Sequence, residues 1–358
     1  MLSKYFNLLK NIKIKFLFIF LTLLYISLIF LWNHQRNIYP EKILQLKQIT
    51  DSIKKNSTKV STGLSIINFP VFSFTQNNFL INAYVWFKYP SGKNLINMIE
   101  KFDFKESEII YKSSPSIEKL NDKEDLAVFQ VKVSLKFPDL NHKNYPIGDH
   151  RLNIILENTS VMYDKFYFTT IDSNFELSEN ISISNWRPEK TTVQAGYLET
   201  EIKFDNESSK INYPCALFSI DLKNINLRET ITLYLAMFGI FLISLLSLLM
   251  PLSPYIMRMS AATASVPILI LFRTVILQLS PPSGTFNKAD FLYFLLVFCA
   301  VIILFFHTYF CNIAYKLENL ENDHRIKQIN SFEKFNALVL YLILILLMSA
   351  ITYNAISI

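Results

Sequence analysis

Arg258-Met-Ser-Ala-Ala-Thr-Ala-Ser-Val-Pro-Ile-Leu-Ile-Leu-Phe-Arg-Thr-Val-Ile-Leu-Gln278 is the stretch that decides how this chain is read. It is apolar enough to sit in a membrane, yet it carries hydroxyls, an amide, a proline and arginine. Steps of three and four residues pick out Ser260, Ala264, Pro267, Leu271, Thr274 and Gln278, which a helix sets along one face. A helix surrounded by lipid has no use for such a stripe. A helix lining a narrow water-filled path does, and a helix packed in a bundle uses small residues for close approach. On the residues alone both of these readings stand.

The 358 residues are enough for two domains and a substantial core. Hydrophobic residues make up 51% of the chain and are clumped in long runs, which points to a membrane protein embedded in a lipid bilayer. The net charge of +6 is spread along the chain and implies no nucleic-acid partner. The cysteines Cys215, Cys299 and Cys311 cannot make a disulfide framework, and only Cys215 belongs to the polar part. Richness in Ile, Asn and Lys with 6 Gly suggests an AT-rich, bacterial coding sequence. The sequence holds no Gly-x-Ser-x-Gly, His-Glu-x-x-His, P-loop or Rossmann fingerprint, so no enzyme activity and no cofactor is expected. His34, His142, His150, His307 and His324 have no metal-ligand spacing, and no metal site is expected.

Residues 1–15 carry Lys4, Lys10, Lys13 and Lys15 ahead of the apolar run Phe16 to Trp32. The run ends in Leu-Trp-Asn-His with no Ala-x-Ala pattern, so 16–32 is read as an uncleaved signal anchor, with a cleaved signal peptide as the alternative. Residues 33–59 form a polar linker, with a short helix possible between Ile38 and Lys59. Within 60–227 the pattern changes to short strands. Phe129, Val131, Val133, Leu135 and Phe137 alternate with Gln130, Lys132, Ser134 and Lys136. Leu64 to Phe74, Phe79 to Tyr89, Leu152 to Leu156, Phe166 to Ile171 and Ala216 to Leu222 read as further strands. This spacing predicts an antiparallel β-sandwich, with Trp86 and Trp186 as core anchors.

Residues 228–358 hold four apolar stretches: Ile231 to Met250, the opening stretch, Phe291 to Tyr309 and Ala337 to Tyr353. Each approaches the ~20 residues that a helix needs to cross the hydrocarbon core. The fold class is therefore a β + α membrane protein: an outer β-sandwich, a four-helix transmembrane bundle and one N-terminal transmembrane helix. With the N-terminus in the cytoplasm, Arg258 and the loop bearing Lys316, Arg325, Lys327 and Lys334 are also cytoplasmic, and the outer loop keeps only Lys288. The distribution follows the positive-inside rule and places the sandwich in the extracellular or periplasmic space.

Several local segments, in this order and spacing, resemble the pentameric ligand-gated ion channel family, the Cys-loop receptor superfamily, in its prokaryotic form. Tyr145-Pro-Ile-Gly-Asp149-His-Arg-Leu is similar to the Phe-Pro-Phe-Asp segment at the base of that family's sandwich. Asn185-Trp186 resembles the tryptophan that begins a later strand, and Leu227-Arg228 the arginine before the first core helix. Leu279-Ser-Pro-Pro-Ser is similar to the link after the pore helix, and Ala289-Asp290-Phe-Leu-Tyr-Phe to the start of the third helix. The chain departs from the pattern in five places. It lacks the two cysteines of the eponymous loop, has one residue more between Pro146 and Asp149, and carries Gly239 where a proline is usual. Pro267 stands at the leucine gate, and the N-terminal helix is extra.

The resemblance implies a homopentamer in the cell membrane, a bacterial inner membrane if the source is bacterial. Ser260, Ala264, Pro267, Leu271, Thr274 and Gln278 would then line the pore, and Pro267 with Leu271 would form an apolar constriction. Asp149 and Arg228, with Pro281 and Pro282, are implied in coupling sandwich to helices; the alternative is a pair of solvated charges. The agonist, an unidentified small molecule or ion, would meet aromatic residues such as Phe166, Tyr167, Tyr197 and Tyr213. No Asp or Glu lies between Thr230 and Ala289, which leans against cation selectivity, and Arg273 is a charge at membrane depth in need of a partner or water. The alternative function is a non-conducting membrane-anchored sensor of the same fold.

Overall fold

A computed structural model describes residues 41–317, apart from 43, 93–94, 180, 182, 205–206, 251–254 and 283, together with Asn336, Val339, Leu340, Ile343 and Leu347. The expected anchor at 16–32, the lysines before it, and most of the stretch from 318 to the C-terminus lie outside the described residues. Two compact units emerge: one from 39–141 and 149–225, the other from 142–148 and the chain from 226 onward.

The first unit is a two-sheet β-sandwich. A short helix α1 (Asp51–Asn56) leads into β1 (Thr58–Ser73) and β2 (Asn78–Pro90), followed by a helical turn α2 (Ile96–Ile99). The chain continues through β3 (Asp103–Phe104), β4 (Ser107–Lys112), β5 (Ser116–Asn121), β6 (Glu124–Leu135), β7 (His150–Glu157), β8 (Phe166–Thr169) and β9 (Phe175–Leu177). Two long strands, β10 (Trp186–Phe204) and β11 (Glu207–Asn224), close it. One sheet has the order β4-β6-β2-β1-β8, with β5 also on β6 and β9 also on β1; the other runs β10-β11-β7-β3. Pairing is antiparallel except where β1 meets β8 and β9.

Period-two alternation builds the core. In β2 Phe79, Ile81, Ala83, Val85 and Phe87 point inward, and in β6 Ala127, Phe129, Val131, Val133 and Leu135 do the same. Phe218, Ile220, Leu152, Ile154 and Leu156 oppose them from the second sheet. Rings meet edge to face, as between Phe102 and Phe129 at 5.1 Å, the arrangement that aromatic quadrupoles favour. Trp186 packs against this core, 4.3 Å from the Phe74 ring. Trp86 does not: its place between Val85 and Phe87 turns it to the other face of the sheet, over Gly63, where a Cβ would stand 2.3 Å from the indole. A side chain on residue 63 would displace that ring.

Residues 41, 42 and 44–47, read in the sequence as part of a linker, lie along the sandwich. Leu44 and Leu46 pack on Ile155, Cys215, Leu217 and Leu198, and Lys47 bridges Tyr197.

The second unit contains three helices long and apolar enough to cross a membrane: α3 (Leu227–Leu249), α4 (Tyr255–Leu279) and α5 (Lys288–Leu317). Such a set suggests a multi-pass membrane protein. Leu233, Met237, Phe241, Leu245 and Leu248 of α3 repeat at helical spacing and meet Tyr293, Leu296, Ala300 and Ile303 of α5 in one apolar cluster. Leu340, Ile343 and Leu347 join the cluster, while the rest of the fourth apolar stretch lies outside the described residues.

Across the second sheet, Asp103 of β3 and Cys215 of β11 flank Glu157 of β7. Burial raises the Glu157 carboxyl above its ordinary range; nearby Lys105 works against this, and the charges of Asp103 and Glu106 add to it. The ionised form is thus the costly one in the folded state, and its contribution to stability falls as pH rises through the raised value. Glu157→Gln removes that cost. The variant is expected to melt above the parent at about pH 7, with the difference closing below about pH 4, where both side chains are neutral. Thermal melts at the two pH values check this, and equal midpoints at both would contradict it.

Candidate functional site

Helix α4 is held against its neighbours by one face. Arg258, Ala262, Ser265, Leu269 and Ile276 are buried, at spacings of three, four and seven residues. The remaining arc is open: Ser260, Ala264, Pro267, Leu271, Thr274 and Gln278 are all exposed, Leu271 at 68%. The buried share of α4 is half that of α3 or α5, 22% against 44% in their most apolar windows. Pro267 sits inside the helix and offers no N–H to the preceding turn. The Thr274 hydroxyl donates to the Leu271 carbonyl at 2.8 Å, so its polarity stays close to the helix wall. An open groove lined by Ile256, Met259, Ser260, Thr263, Ala264 and Cys311 runs beside the first half of the stripe.

The polar groups on the buried side are tied in. Ser265 Oγ donates to the Ala262 carbonyl at 2.9 Å and touches Ser244 Oγ of α3. Ser247 Oγ donates to the Ser244 carbonyl at 2.6 Å and shares a 2.8 Å hydrogen bond with His307 Nε2 of α5. The Arg258 guanidinium donates to Met250 O at 2.7 Å and Leu248 O at 2.9 Å, and thereby caps the end of α3. Asn336 Nδ2 donates to Leu248 O as well, at 2.6 Å.

Arg273, read in the sequence as a charge in need of a partner or water, is ion-paired with Asp290 of α5. Its guanidinium carbon lies 5.5 Å from the Tyr293 ring and 5.4 Å from that of Phe294. Asp290 belongs to a reciprocal cap: its Oδ2 accepts the Asn287 N–H, and Asn287 Oδ1 accepts the Asp290 N–H, each at 3.0 Å. The Arg273 charge is therefore compensated within the chain, by an acid one residue beyond the acid-free window.

The segment 142–148 joins β6 to β7 and packs among the helices. Its turn at His142–Asn144 is followed by a cis Tyr145–Pro146 bond. Ile147 is buried in the helical cluster with Tyr145 beside it. Tyr145 Oη donates to Glu229 Oε1 at 2.7 Å. Burial, and then the Glu229 carboxylate that its proton faces, holds the phenol well above its ordinary pKa. Asn226 caps α3 by accepting the Glu229 N–H at 3.2 Å, and its amide reaches the same carboxylate. Nothing in the sequence reading marked Tyr145 and Glu229 as a pair, although Tyr145 opens the quoted Tyr-Pro-Ile-Gly-Asp segment and Glu229 follows Arg228.

Asp149 and Arg228 fall in different units. Asp149 is fully buried, with Oδ1 accepting the Asn224 N–H at 2.8 Å. Arg228 is exposed in the first turn of α3, its carbonyl accepting from Thr232 Oγ1 at 2.8 Å. After α4, Pro281 is buried and Pro282 exposed. Of the aromatic candidates, Phe166 is in the sandwich core and Tyr167 is buried. Tyr197 is half-buried and stacks on Tyr163 at 5.2 Å, a residue the sequence did not single out. The register pairs Tyr197 with Pro214 and Leu198 with Tyr213, so Tyr197 and Tyr213 occupy opposite faces of the hairpin. Among the described residues no cluster of His, Cys, Asp and Glu could hold a metal ion.

In comparisons with known proteins, no family model and no curated protein matches this chain.

The Tyr145–Glu229 bond yields a direct test. Tyr145→Phe keeps the ring and removes the donor, and loss of a hydrogen bond to a charged group costs about 1.5–3 kcal/mol. Amide exchange at Ile147 and Gly148 is expected to quicken correspondingly, with α5 unaffected. Unchanged protection of 142–148 would show that the bond does not hold the segment.

Proposed function

We propose that this chain is the subunit of a homopentameric ion channel, resembling the pentameric ligand-gated channels, in which α4 lines the conducting path. The observation that carries this is the division of α4: its arginines and Ser265 are engaged inward, and the whole stripe from Ser260 to Gln278 is open. A membrane helix with an uncommitted face bearing hydroxyls and an amide is suited to water on that face, with Pro267 and Leu271 forming an apolar constriction that closes by dewetting. The sandwich takes the stimulus, an unidentified small molecule or ion. Segment 142–148, continuous with β6 and β7 and gripping α3 through Tyr145 and Glu229, carries it to the helices. In this reading the N-terminus is cytoplasmic, the sandwich lies outside a bacterial inner membrane, and the chain conducts rather than catalyses.

A second reading is a non-conducting sensor of the same fold, favoured by Pro267 in the middle of the stripe; Arg273 lends it little support, its charge being paired with Asp290.

With Arg258 and Arg273 both engaged within the subunit, the stripe carries no formal charge. Weak charge selectivity follows, since rings of charged side chains are what separate cations from anions in such pores. The full-length protein, reconstituted in planar bilayers under a salt gradient, is expected to give a reversal potential near zero. A potential near that of either ion alone contradicts the neutral path. Leu271→Ala widens the constriction and is expected to raise basal conductance; an unchanged current would mean that the stripe is not the path. A verified pentamer silent at every ligand, pH and voltage would establish the sensor reading instead.

A further inference from the structure

The core face of the second sheet is built from Leu152, Ile154, Leu156, Ala216, Phe218 and Ile220. Alternation turns Ile155, Cys215 and Leu217 to the other side, which in a plain two-layer sandwich faces water. Here residues 41–47 cover it, with Leu44 and Leu46 over that apolar patch.

The strap is fastened at its two ends. Glu41, nearly all buried, accepts the N–H groups of Arg151 at 2.9 Å and Asn141 at 3.2 Å, and holds His150 Nδ1 at 2.6 Å. The Lys42 carbonyl accepts from Asn153 Nδ2 at 3.4 Å. At the other end the Tyr197 N–H donates to Lys47 O at 3.1 Å, an isolated bridge on the open edge of β10. Lys47 Nζ also pairs with Glu199, whose carboxylate holds Lys210 of the facing strand at 2.7 Å. Between the ends the strap crosses Gly196, where a Cβ would lie 2.5 Å from Lys47 O and 2.8 Å from Leu46 Cβ. The strap can sit there only because residue 196 has no side chain.

These fastenings add to the sheet without replacing any of its own bonds. The β10–β11 and β11–β7 ladders are complete without residues 41–47, so the strap can leave while both remain paired. We propose that residues 41–47 are a releasable clamp on the β10–β11 hairpin. Seated, they tie the open edge of the hairpin to the start of β7. Lifted, they free the hairpin to move and uncover Cys215. The inference is independent of whether the helices conduct.

Cys215 is the built-in reporter, a fully buried thiol beneath the strap. The test uses the full-length chain with Cys299 and Cys311 replaced by alanine, and measures the rate of maleimide labelling at Cys215. Gly196→Ala attacks the seat from the sheet side, and Glu41→Gln loosens it from the strap side. Each is expected to raise the labelling rate at least about tenfold, as loss of a charged or backbone fastening shifts a local opening equilibrium. Amide exchange should quicken at Tyr197 while Phe218 stays protected and the melting midpoint holds. Unchanged labelling in both variants overturns the clamp. So does labelling that rises only with loss of protection throughout both sheets, which would make the strap a fixed third layer.

Discussion

The rotation of α4 about its own axis is set by polar groups that hydrocarbon cannot satisfy. Each unsatisfied group in a bilayer costs several kcal/mol, so hydroxyls and guanidinium groups at that depth must find partners in protein or water. Arg258 finds the carbonyls at the end of α3, Ser265 finds Ser244, and Arg273 finds Asp290 at the start of α5. These three contacts lie at the beginning, the middle and the end of the helix. Together they leave one rotational setting, and in that setting Ser260, Ala264, Pro267, Leu271, Thr274 and Gln278 have to face away from the bundle. The open stripe is thus a consequence of the closed one.

The sandwich obeys a different rule. Its core is a field of phenylalanines placed by strict alternation, and its register is pinned because a slip of one residue would turn Phe79, Ile81, Val85 and Phe87 to the opposite face. Its edges are handled separately. Strand β5, Ser-Ile-Glu-Lys-Leu-Asn, is exposed along its whole length and carries charge that discourages further pairing, and β10 is partly capped by the bridge from Lys47.

Legibility in the sequence followed the strength of periodicity. Strand β6 was plain because apolar and polar residues alternate from Phe129 onward, and the three apolar helices because they are so long and so uncharged. Strands β4 and β5 were missed because exposed edge strands have no buried face to reveal them, and β9 because three residues carry no period. The stripe on α4 could be located from helical spacing alone; the partners of the helix's other residues could not, since Ser244 and Asp290 are brought to Ser265 and Arg273 by packing between segments far apart in sequence. For the same reason the sequence drew attention to Asp149 and Arg228, while the bond that joins the connecting segment to α3 is made by their neighbours Tyr145 and Glu229. The strap was invisible because Leu44 and Leu46 are spaced like many surface leucines. Its one signature, the glycine at 196, acquires meaning only when the crossing chain is seen.

The assignment of 142–148 to the helical unit means that, among the described residues, the polypeptide passes between the two units three times, at 141/142, 148/149 and 225/226. A bead-on-a-string protein has one such seam and can be cut there. This one cannot: a sandwich severed after Ile225 would still carry Tyr145, Pro146 and Ile147 with no helices to receive them, an oily tongue in water. The two units are stitched rather than linked. Evolution of either unit is correspondingly constrained, because neither can be exchanged for an unrelated module without unpicking the other.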